Sequence, residues 1–137
     1  MKSNLEQNSG KFGQLPLTLI SRAISVAATN TTTEAINIPA ATWVTGVYLK
    51  ADNTVANVDL DVGDGDDVDR YIDGVTTMGT DDVMKAPNVA PGVDLSSGET
   101  GAHYYSSADT IDLVENTTAS ADTAAGTVKI AVQYWTP

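Results

Sequence analysis

The sequence predicts an all-β domain, an antiparallel β-sandwich or a jelly-roll-like one. Three observations carry that expectation. Apolar residues make up 42% of the chain; most are Val and Ala, and Thr is abundant, a mix that suits pleated strands. Turn-forming Asp, Gly and Asn punctuate the chain roughly every 8–12 residues, the spacing of a sandwich. Surface-helix formers are scarce, with only 18% of residues charged, and most of those are Asp.

The elements follow in order. Met1 to Gln14 is polar, with only Leu5 and Phe12 to bury, so it reads as a flexible arm ahead of a single domain over residues 15–137. Leu15 to Ala28 reads as one long strand or two short ones, and Thr29 to Thr33 as a polar turn. Glu34 to Pro39 alternates with Ile36 and Ile38 on one face, and Pro39 limits it to an edge or a strand end. Trp43 to Lys50 alternates over its whole length. Val55 to Val62 does so more cleanly: Val58, Leu60 and Val62 oppose Asn57, Asp59 and Asp61, as in a half-buried strand with an acidic solvent face.

Gly63 to Asp67 is a loop by composition. Val68 to Gly74 reads as a helical turn or short strand anchored by Tyr71 and Ile72. Val75 to Val83 is weak, and Met84 to Gly101 is a long loop. His103 to Tyr105 opens a strand. Thr110 to Glu115 forms another with Ile111 and Leu113 inward, and Asn116 to Gly126 is an excursion. Thr127 to Thr136 is the clearest strand, with Val128, Ile130, Val132 and Tyr134 on one side. The last two strands are expected to pair as a hairpin.

Charge excludes several functions. Seven basic residues stand against 18 acidic ones, a net charge of −11, with no Cys and one His. A Cys/His zinc site, a disulfide scaffold and a cysteine nucleophile are impossible. An acidic surface repels phosphate, which argues against nucleic acid and against anionic membranes as partners. No apolar run is long enough to span a bilayer, and Met1 to Gln14 lacks a signal-peptide core; a soluble chain is expected.

Four features could carry chemistry. Seven aspartates fall between Asp59 and Asp73. Calcium takes carboxylate oxygens from Gly-containing loops, which makes Asp59, Asp61, Asp64 and Asp66 metal candidates, although the EF-hand pattern is not met. The plainer reading is an acidic turn with no cofactor. His103 precedes Ser106, Ser107 and Asp109, but sequence neighbours are not a triad and no Gly-x-Ser-x-Gly occurs; no catalytic residue is assigned and no enzyme is expected. Gly63-Asp-Gly65 is no phosphate loop, since the aspartates would repel phosphate. Among aromatics, Trp135 alternates opposite Tyr134, and one of Tyr104 and Tyr105 must face outward; Trp135 either caps a sheet or contacts a partner.

Several runs resemble small tailed-phage virion proteins: Ile38 to Tyr48 (IPAATWVTGVY), Asp59 to Gly74 (DLDVGDGDDVDRYIDG), Tyr105 to Leu113 (YSSADTIDL) and Gly126 to Val132 (GTVKIAV). The likeness spans residues 36–132 and leaves out the arm. It implies a structural protein of the particle, foremost a capsid decoration or cement protein. Its partners would be the major capsid protein and copies of itself, often as trimers. Its place would be the capsid surface, after synthesis in the host cytoplasm. Head-fibre, neck or tail roles, and a calcium- or carbohydrate-binding module, are the alternatives. Leu5, Phe12 and Trp135 are the expected partner contacts.

Overall fold

The computed structural model describes residues 16–26, 30–86, 102–116 and 126–136. The arm, with Leu5 and Phe12, lies outside the described residues, as does most of the 84–101 loop and of the 116–126 excursion.

Strand alternation builds every element. The first apolar segment becomes two short strands, β1 (Leu17–Ile20) and β2 (Ile24–Ser25). Next come β3 (Thr31–Ile38), β4 (Thr42–Ala51), β5 (Val55–Asp64), β6 (Ile72–Met78) and β7 (Val83–Lys85). The chain closes with β8 (His103–Tyr105), β9 (Asp109–Asn116) and β10 (Thr127–Trp135). All pairings are antiparallel.

Two sheets result. Sheet A runs β1-β10-β4-β7, with β2 also on β10 and β8 also on β4; sheet B runs β3-β9-β5-β6. The chain passes repeatedly from one sheet to the other, and the late strands β9 and β10 fill the interior of each. That is jelly-roll order. Val44, Val47 and Leu49 of β4 and Val128, Ile130 and Val132 of β10 line the core from sheet A. Val58, Leu60 and Val62 of β5 and Ile111 and Leu113 of β9 line it from sheet B. Burial of each such side chain stabilises the fold by about 1.5–3 kcal/mol relative to exposure.

A register shift at Gln133/Tyr134 reverses the alternation within β4. Val44 and Val47 therefore both face the core, and Trp43 shares the outer face with Tyr48 and Lys50.

The structure corrects four expectations. β9 and β10 do not form a hairpin: β9 pairs with β3 and β5, and β10 with β1, β2 and β4. Both strands are apolar on their inward side, and each satisfies its backbone between two older strands rather than against the other. Thr31 to Thr33 belongs to β3, where it pairs with Leu113 to Glu115. The weak Val75 to Val83 stretch holds most of β6, whose Val75 and Met78 are buried. Asp61, expected on a solvent face, is buried because a backbone N–H and an amide cover it.

Candidate interaction surface

The Asp-rich turn folds around one carboxylate. Asp64 lies three residues after Asp61, an odd offset that turns it to the core side of β5, where it is 2% exposed. Its Oδ2 accepts hydrogen bonds from Arg70 Nε at 2.6 Å and Tyr105 Oη at 2.7 Å. Its Oδ1 accepts from the backbone N–H groups of Asp66 at 3.1 Å and Asp67 at 2.9 Å. The Tyr71 and Tyr105 hydroxyls are 2.6 Å apart. Burial pushes the Asp64 carboxyl up, but the bonds from Tyr105, Arg70 and the Asp67 backbone outweigh it and hold it below the ordinary carboxylate range. Burial raises both tyrosine hydroxyls, so they remain protonated donors.

The four metal candidates are thereby separated. Asp59 and Asp61 face outward from sheet B, Asp64 faces inward, and Asp66 is exposed on the turn. Asp61 accepts from the Gly74 N–H at 2.8 Å and from Asn116 Nδ2 at 2.6 Å. Among the described residues no three acidic or histidine side chains converge on a cation position. His103 packs edge-on to Tyr105, with ring centroids 4.6 Å apart, and the Asp109 carboxylate accepts the Thr110 N–H.

The two broad faces differ in character. On the outside of sheet B stand Glu34, Asp59, Asp61, Asp73 and Asp112. The described cations lie elsewhere: Lys50, Lys85 and Lys129 on sheet A, Arg70 folded onto Asp64, and Arg22 between β1 and β2. Asp112 and Asp59 each keep one carboxylate oxygen buried without a hydrogen-bond partner. Burial raises the Asp59 carboxyl above its ordinary value, as do Asp61 and Asp73. Burial also raises Asp112, with Glu34, Asp109 and Asp64 adding to it against a Thr110 hydrogen bond.

A pH profile follows. Asp59 and Asp112 hold their protons more tightly folded than unfolded, so acidification relieves an unfavourable charge and stabilises the fold. Asp64 runs the other way: its contribution is complete above the unfolded carboxyl value and is lost as pH falls through its depressed folded value. Thermal denaturation should therefore show the melting temperature rising as pH falls from 7 toward the ordinary carboxyl value of about 4, and dropping below about pH 3. A profile that falls continuously from pH 7 would contradict it.

The outside of sheet A is arranged in rows that cross its strands. At one end Lys129 and Lys50 sit side by side. Asp52 bridges them at 2.8 and 3.2 Å, and Asp81 holds Lys50 at 2.9 Å. In the middle, Ile20, Ala131, Tyr48 and Lys85 follow one another across the sheet, with the Lys85 ammonium 5.8 Å from the Tyr48 ring centre. At the far end Trp135, Trp43 and Tyr104 form an aromatic ladder on β10, β4 and β8. Trp43 stacks on Trp135 at 6.0 Å and meets Tyr104 at 5.0 Å. Tyr104 is exposed, and both tryptophans are half-buried.

Trp135, expected to cap a sheet or meet a partner, thus belongs to an outward cluster. Sequence reasoning did not find Trp43 as its neighbour. Only the pairing register joins positions so far apart, and the register shift in β4 that turns Trp43 outward leaves no mark beyond Gly46.

No protein-family model and no curated protein matches the chain. Solved structures do. A chain of the capsid asymmetric unit of cyanophage Pam1 superposes with a TM-score of 0.61 at 21% identity, over 89% of this chain and 86% of that one. A chain from the acidic stable capsid structure of Helicobacter pylori bacteriophage KHP30 superposes with a TM-score of 0.53 at 14% identity, over 88% of this chain and 89% of that one. What is shared is the fold.

Proposed function

We propose that this chain is a structural protein of a phage particle that decorates the outer head shell and cements its subunits. The observation that carries the reading is the match of fold, over 89% and 88% of this chain, to chains in two phage capsids. The matched shares are nearly equal on both sides, so those chains are also close to this one in length. A unit this small suits an accessory that sits on a shell.

The surface supports the same reading. Aromatic side chains are enriched where proteins bind one another, and a few of them carry most of the affinity. The aromatic ladder of sheet A is the docking patch: Tyr104, Trp43 and Trp135 present flat apolar area at the end of the face opposite the neutralised lysines. The acidic outside of sheet B faces water, where like charge keeps many closely spaced copies from sticking to one another. Residues 1–14 would extend the contact to a neighbouring subunit through Leu5 and Phe12.

Electron microscopy of the particles tests the location: density for this fold is expected on the outer head shell, and density at the tail or neck would overturn the decoration role. The docking face is tested by binding purified protein to heads that lack it. Tyr104→Ala removes an exposed ring at little structural cost and should weaken binding by roughly tenfold or more, the loss typical of an interface anchor. Asp73→Asn on the opposite face should leave it unchanged. Equal binding by both variants would remove the ladder from the interface.

A further inference from the structure

We infer that β1 is a self-association edge: two copies pair antiparallel through Leu17–Ile20 about a twofold axis, joining their A sheets into one. The inference does not depend on the head-shell reading.

A bare strand edge invites pairing, and proteins guard such edges with charge, proline or brevity. The other edges here are guarded. β3 carries Glu34 and stops at Pro39; β6 carries Asp73; β7 and β8 are three residues long, β7 ending on Lys85, and β2 is two residues long. β1 reads Leu-Thr-Leu-Ile and carries no charge, and its large side chains are open, with Leu17 50%, Leu19 36% and Ile20 67% exposed. In a chain of net charge −11, it is the longest of the described edges that carry no charge, and two copies meet there without setting carboxylate against carboxylate.

The hydrogen-bond phase fixes the register. The Ser21 N–H donates to the Ile130 carbonyl at 2.8 Å, and Ser21 is next after the Ile20–Ala131 pair. Backbone groups alternate sides along an antiparallel strand. Leu17 and Leu19 therefore bond to β10, while the N–H and C=O groups of Thr18 and Ile20 point away from the sheet. Across a twofold axis, Thr18 of one copy lies opposite Ile20 of the other, and the two pairs exchange four hydrogen bonds. Leu19 then meets Leu19 of the second copy in a non-hydrogen-bonded pair, where side chains lie closest. Both Leu19 side chains stand on the core side of the sheet, beside Val132. The edge is complementary to itself, in backbone groups and in side chains alike.

The test uses the full chain. Sedimentation equilibrium across increasing concentration should show a dimer. Ile20→Lys, at an exposed position, should leave the circular dichroism spectrum of the fold in place and weaken dimerisation by at least about tenfold, because a charge guards the edge. Leu19→Cys gives a second, independent reading. The register sets the two introduced thiols on α-carbons about 4.5 Å apart, within disulfide range, and the chain has no other cysteine. Mild oxidation should crosslink Leu19→Cys but not Val83→Cys on the opposite edge. A protein that stays monomeric overturns the inference, including the case in which residues 1–15 of the same chain cover the edge. A dimer untouched by Ile20→Lys, or equal crosslinking at both positions, overturns it too.

Discussion

The Gly63→Ala substitution is expected to destabilise the domain by about 3 kcal/mol or more, the upper end of what overpacking costs. A β-carbon there would lie 2.1 Å from the Asp67 carbonyl oxygen and 2.2 Å from the Val68 carbonyl carbon. Both are backbone atoms of the turn that follows, so no side chain can swing aside. The turn must move, and with it the Asp66 and Asp67 N–H groups that hold Asp64. The same turn is pinned by the Tyr71 N–H donating to the Val62 carbonyl at 2.9 Å. Urea unfolding would read the loss as a lower midpoint at unchanged slope, and the melting temperature should fall by roughly 10 °C. A change below about 0.5 kcal/mol, the size of an ordinary surface substitution, would mean the turn relaxes freely.

Asp64→Asn is the second large effect, with an expected loss of about 3–5 kcal/mol, the range for breaking a buried ion pair by removing one partner. The volume is kept, so packing does not explain the loss. Arg70 would lose its ion-pair partner and keep only the weaker attraction of Asp67. An amide nitrogen facing Arg70 Nε sets donor against donor, and if the amide flips, the N–H groups of Asp66 and Asp67 lose their acceptor instead. Tyr105, 4% exposed, has no bulk water to replace the carboxylate. The pH profile separates this account from a general weakening. Stability lost below about pH 3 in the native protein comes in part from protonating Asp64, so the variant should be flatter there. A variant that loses stability equally at every pH would show that the charge itself does little.

Much of the fold is legible because burial leaves a period of two. The alternation along β5 and β10 and the Ile36/Ile38 pair lead directly to buried faces. Pro39 does mark the end of an edge strand. Pairing is less legible. Nothing local separates a hairpin from two strands that part company, and β9 and β10 part because each completes a different sheet. The Asp cluster shows the same limit on a smaller scale. Its composition reads as a solvated turn, yet Asp64 and Asp61 are buried by partners as distant as Tyr105 and Asn116. Parity alone puts Asp64 on the face opposite Asp61, a signal present in the numbering. The ladder is the least legible: its three rings sit on strands that become neighbours only once the sheets are assembled.

The position of β9 and β10 also governs the order of events during synthesis. Each is an interior strand, and in sheet A, Leu17 waits for Tyr134. Until β10 leaves the ribosome, β1 and β4 have no strand between them. Pairings this distant in sequence close slowly, and a nascent chain bearing uncovered valine-rich edges is prone to aggregate. The domain therefore gains its cooperativity late, nearly all at once, after most of the chain has been made.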